Sequence, residues 1–141
     1  MKRLLFLLIL FNSSAAIAGS ADAVLTCKSA SGRTLFKAHL QDLVSFTDAK
    51  FTIDGQTLTY SNTEKGHLVF NAKNKVLTIA IQDEKVGWLT FYAIPATFQT
   101  IVSKQHRAHY KFKAVIQGKD PRKGEWHSKE ITLDCELTYT I

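Results

Sequence analysis

Apolar residues return at every second position along most of this chain. In the last segment, Ile131, Leu133, Cys135, Leu137, Tyr139 and Ile141 fall on one face, while Thr132, Asp134, Glu136, Thr138 and Thr140 fall on the other. That period requires a β-strand with one dry and one wet side. The same alternation marks Thr34 to Gln41, with Phe36, Ala38 and Leu40 inward and His39 outward. It recurs in Val76 to Gln82, where Leu77, Ile79 and Ile81 point inward, and in Arg107 to Gln117, where Tyr110, Phe112, Ala114 and Ile116 do. Shorter strands are expected at Val24 to Lys28 and His67 to Phe70, and on either side of Asp54-Gly55. Asp-Gly between alternating apolar positions favours a hairpin, because both residues tolerate positive φ. Asp42 to Lys50 is ambiguous: Leu40, Leu43 and Val44 suit a turn of helix as well as an irregular crossing.

Gly87 to Ile94 breaks the pattern. Trp88, Tyr92 and Ile94 share one face and Leu89, Phe91 and Ala93 the other, so the stretch reads as a central strand covered on both sides rather than as an exposed aromatic patch. Pro95 ends it, since proline cannot donate to a ladder, and Phe98 to Ser103 is a weak element. Turn signals recur at roughly 8 to 12 residue intervals, without repeats, linkers or long helical periodicity. The expected fold is all-β: a single antiparallel β-sandwich or β-barrel of about eight to ten strands.

The start of the chain has a different composition. Lys2 and Arg3 precede the apolar run Leu4 to Phe11, and Ala16-Ile17-Ala18 is a small-x-small cleavage site. Residues 1–18 therefore read as a secretory signal peptide and 19–141 as one domain, with cleavage after Ala23 as the alternative. The run is too short for a bilayer, which needs about 20 residues, so no transmembrane segment is expected in the mature chain. Export, to the periplasm or beyond, places Cys27 and Cys135 in an oxidising compartment. There a pair of cysteines forms a disulfide more readily than a metal or redox site. The formal charge of +6 includes Lys2 and Arg3; what remains is a modest basic excess, short of a nucleic-acid binder.

Candidate chemistry is sparse. His106 and His109 are three apart, which on a strand turns them to opposite faces and away from a shared metal. No Gly-x-Ser-x-Gly elbow, paired carboxylates or phosphate-cradling glycine loop is present; neither metal nor cofactor is expected. Two basic features remain. Arg107, His109, Lys111 and Lys113 form an outward row on one strand, a protected solvated face or a cationic stripe. Arg122, Lys123, Trp126 and His127 lie in the Gly118 to Lys129 loop, the composition of a recognition hot spot.

A small exported β-barrel with a cysteine near each end is similar in architecture to the periplasmic inhibitors of c-type lysozyme. That family carries a mid-chain Ser-Gly-x-x-Tyr segment, whereas Ser31-Gly32 here lies near the start and is followed by Phe36, so no inhibitory residue carries over. The early Gly-x-Trp of lipocalins is also missing. The expected function is non-catalytic binding, as an inhibitor, immunity-like or adaptor protein, to an envelope protein, an anionic glycan or a lipid surface. The alternatives are a β-barrel carrier of an apolar small molecule, suggested by the many phenylalanines, and a hydrolase without a recognisable motif.

Overall fold

The computed structural model describes residues 22–61, 66–123 and 130–140. Ten strands follow one another: β1 (Asp22–Lys28), β2 (Thr34–Gln41), β3 (Ser45–Ile53), β4 (Gln56–Ser61), β5 (Gly66–Asn71), β6 (Val76–Asp83), β7 (Gly87–Ala93), β8 (Gln99–Lys104), β9 (Arg107–Gly118) and β10 (Ile131–Thr140). They form a single antiparallel sheet in the order β4-β3-β2-β1-β10-β9-β7-β6-β5, with β8 also paired to β9. The sheet curls into a half-barrel. Its curvature brings Phe36 of β2 against Phe91 of β7, ring centroids 5.2 Å apart, although three strands separate them in the sheet. Strand twist provides this curl, and burial of the inner row stabilises it. Leu25, Phe36, Phe51, Tyr60, Ile79, Leu89, Ile116 and Leu133 are among the fully buried side chains.

The two ends of the chain meet at the centre of the sheet. β1 pairs with β10 from Asp22↔Thr140 to Lys28↔Asp134, which sets Cys27 directly opposite Cys135. The two form a disulfide with their Cα atoms 4.1 Å apart, and both are buried.

Hairpin turns account for the tight connections. Asp54 and Gly55 both have positive φ (49° and 82°), so the sequence signal there corresponds to a real two-residue turn. The ambiguous Asp42 to Lys50 segment opens with a three-residue turn between Gln41 and Ser45, with Asp42 at φ 51° and Leu43 at φ 55° and the Val44 N–H donating to the Gln41 carbonyl at 3.1 Å, and then continues as β3. Neither glycine nor asparagine marks it. The pairing of β2 with β3, which runs from Thr34↔Ile53 to Gln41↔Ser45, holds a leucine in a conformation it seldom adopts.

β9 is the long strand that two shorter ones share. Its second half pairs with β7, Leu89↔Gly118 to Ala93↔Ala114, and its first half with β8, Gln99↔Lys111 to Lys104↔Arg107. Between them Pro95–Thr97 makes a short 3-10 turn that loops away from the ladder. The backbone of Lys113 opposite the loop is still satisfied: Ile94 N–H donates to its carbonyl at 2.7 Å, and its N–H donates to Thr97 Oγ1 at 2.8 Å. The loop also turns Phe98 inward, where its ring stacks on Phe112 at 5.0 Å and lies 5.4 Å from Tyr110.

One expectation is corrected. β7 is covered on its inner side only: Leu89 and Phe91 are fully buried, while Trp88 and Tyr92 are 49% and 41% exposed. A single curled sheet has no second layer over its outer face, so the aromatic residues there meet solvent.

Candidate functional site

The outward row of β9 stands as the alternation requires. Its register with β10 sets Arg107 opposite Thr140, His109 opposite Thr138, Lys111 opposite Glu136 and Lys113 opposite Asp134. Lys111 Nζ lies 3.0 Å from Glu136, Lys113 Nζ 2.9 Å from Asp134, and His109 Nε2 3.3 Å from Glu136. The stripe is therefore half of a two-signed surface. Lys111, and then His109, hold the Glu136 carboxyl below the usual carboxylate range. β1 continues the lattice, because Lys28 faces Asp134 and Thr26 faces Glu136 from the other side. Two rows result: Lys28–Asp134–Lys113 and Thr26–Glu136–Lys111.

These rows line an open trough of about 780 Å³, closed at one side by Thr97 of the loop before β8 and Gln99 at the start of β8, and continued by Thr138. Its floor is the backbone around Cys27, Phe112 and Cys135. The disulfide thus underlies the trough and fixes the spacing of two of its strands. The alternation of β9 marks the cationic members Lys111 and Lys113, whereas Arg107 and His109 of the same row do not line the trough, and no local signal brings Thr26, Lys28, Thr97, Gln99, Asp134, Glu136 and Thr138 to it. The outward side of β10 was legible, but its neighbour in the sheet was not.

The basic residues of the loop after β9 have another arrangement. Arg122 donates through Nε and Nη2 to the Asp120 carboxylate, at 3.0 and 2.7 Å, and through Nη1 to Asp54 in the β3–β4 turn. Asp54 also accepts from Arg33 Nε at 2.6 Å. Arg33, then Arg122, lowers the Asp54 carboxyl from its ordinary value. Asp120 is itself buried. Arg122 therefore ties the loop down onto the β1–β2 and β3–β4 turns. The exposed Lys123 donates its N–H to the Asp120 carbonyl. Trp126 and His127 lie outside the described residues.

Comparison with protein-family models, curated proteins and solved structures finds no match to this chain. Among the described residues no group of three or more His, Cys, Asp or Glu side chains is placed to hold a metal, and no helix is long and apolar enough to cross a membrane. His106 sits at the β8–β9 turn and His109 on the outer face of β9.

Proposed function

We propose that the chain is an exported, non-catalytic binding protein, of inhibitor, immunity-like or adaptor type, and that the trough over β1, β10 and β9 is its contact surface. The observation that carries this reading is the alternation of charge across three strands above a disulfide-locked floor. Exposed ion pairs of this kind contribute little to stability, but they set out a fixed pattern of sign that a partner can match. The pattern also separates the partner classes. Asp134 and Glu136 in the middle of the trough repel a polyanion, so an envelope protein carrying both signs fits better than an anionic glycan or a lipid surface.

Export rests on the signal-like N-terminus and agrees with a disulfide. Cleavage after Ala18 would leave β1 whole, whereas cleavage after Ala23 would remove Asp22 and the buried Ala23 from their pairings with Thr140 and Tyr139. A small apolar ligand would have to displace the stacked Phe36 and Phe91 rings from the interior, which favours the outer surface as the working one.

The test exchanges the two signs of one pair. Lys111→Glu with Glu136→Lys keeps an ion pair and the fold but inverts the pattern a partner meets. Co-sedimentation with fractionated envelope protein should show a partner held by the wild type, weakened by salt, and held about tenfold less by the exchanged form. Equal retention of that partner by both forms would reject the trough as the site.

A further inference from the structure

The outer face of the sheet is divided by charge. The walls built from β1–β3 and β9–β10 carry Lys28, Lys37, Asp48, Lys50, Lys111 and Glu136 among their outward residues. The outward positions of β5, β6 and β7 are His67, Val69 and Asn71; Val76, Thr78, Ala80 and Gln82; and Trp88, Thr90 and Tyr92. No Asp, Glu, Lys or Arg occurs in this set. An uncharged wall at one margin of a sheet invites aggregation unless it has a use.

Its layout indicates that use. Trp88 and Tyr92, both exposed, stand four residues apart on one strand, about 13 Å along it. The smaller Thr90 lies between them, so the rings cannot stack on each other. Register places Gln82 beside Trp88, Ala80 and Gln117 on either side of Thr90, and Thr78 and Val115 on either side of Tyr92. The floor between the rings is thus short side chains, bordered by amides and hydroxyls that both donate and accept. The Tyr92 hydroxyl donates to Glu130 Oε1 at 3.2 Å, on the far side of β9, which holds that ring down across the sheet. Val115, beneath its path, is buried despite facing outward.

We propose that this wall binds an uncharged glycan chain, with Trp88 and Tyr92 each stacking on the C–H face of a pyranose ring and Gln82, Thr90 and Gln117 meeting the hydroxyls between. An aromatic face bears partial negative charge and a sugar's C–H face the complementary positive edge. The neutral donors and acceptors match a polyol, and the Glu130 carboxylate on the Tyr92 hydroxyl disfavours an anionic chain. Two rings held on one strand need little ordering on binding. This site lies on different strands from the trough and stands or falls independently of it.

A glycan array spanning neutral hexose, N-acetylhexosamine and mixed chains, together with acidic ones, tests the assignment. The mature protein should retain one or more neutral chains. In titration with the retained chain, Trp88→Ala should weaken binding about tenfold or more, and Trp88→Phe should recover most of it. Thr90→Arg, which puts bulk and charge between the rings while leaving both aromatic residues in the chain, should also abolish binding. Retention of acidic chains alone, or of none, overturns the proposal. So does sedimentation velocity showing a dimer that Trp88→Ala dissolves, because a second copy would then be the occupant.

Discussion

At the scale of single residues, Arg122 shows how position revises the meaning of composition. In sequence it is one of several cations around a tryptophan, the ingredients of a hot spot. In the fold its guanidinium is shared between Asp120 and Asp54, two carboxylates 66 positions apart in the chain, and Asp54 in turn is held by Arg33. Nothing local to Arg122 announces Asp54, because that contact depends on where the β3–β4 turn lands. Arg122→Ala is expected to lower the melting temperature, whereas Lys123→Ala is not, and thermal unfolding followed by circular dichroism distinguishes them. That cluster, through Asp54, and the ion pairs of the trough, through Glu136, give stability a pH dependence. The Asp54 and Glu136 carboxyls are depressed in the folded chain, so their contribution is present above the unfolded values near pH 4 and is lost as pH falls through the lower folded ones. The melting temperature should be level from pH 7 to about 5 and fall below that. Asp54→Asn should make the acid limb shallower; an unchanged limb would mean that the cluster does not hold the turns together.

At the scale of elements, what the sequence reveals depends on how locally each element is determined. β2, β6, β9 and β10 show themselves by alternation, since a sheet with one covered face sorts residues two by two. The Asp54-Gly55 turn is visible because its residues suit positive φ; the Asp42-Leu43 turn is not, because strand pairing imposes it on residues that do not ask for it. The loop at Pro95–Thr97 is half visible. Proline marks where β7 ends, but the resumption of pairing as β8 along the same side of β9 depends on Thr97 reaching Lys113. The doubly apolar β7 is misleading from sequence because alternation alone does not count layers.

The β1–β10 pair is where sequence and structure agree most closely, and it carries a prediction of its own. The disulfide closes a span of 108 positions. Loss of such a cross-link costs about 4 to 5 kcal/mol on the chain-entropy view, less where the reduced chain keeps structure. Cys27→Ser with Cys135→Ser should therefore reduce the unfolding free energy in urea by up to about 4 kcal/mol. A loss under about 1 kcal/mol would show that the seven-residue register of β1 with β10 holds the closure unaided.

At the scale of the whole molecule, the half-barrel has a filled inside and a divided outside. Rings from strands that are not neighbours in the sheet meet along the interior, Phe36 with Phe91 and Phe70 with Tyr110, and Phe98 adds its ring beside Tyr110 and Phe112 from the adjoining loop. The outer face carries the variation: a two-signed trough over β1, β10 and β9, and an uncharged aromatic wall over β5, β6 and β7. The outward rows of β9 and β10 are readable one strand at a time, whereas the exposure of Trp88 and Tyr92 on β7 is not. Nor is the assembly of either surface, because it needs the strand order, in which β10 enters between β1 and β9 and β8 departs from the sequential path. The most direct test is an amide chemical-shift map of labelled residues 19–141 titrated with the envelope protein that co-sediments with them. The changes should concentrate at Thr26–Lys28, Thr97–Gln99, Lys111–Lys113 and Asp134–Thr138 and leave Phe36, Phe91 and Leu133 unmoved; changes centred on those interior residues, or on the β4 edge, would contradict an outer-face binding protein.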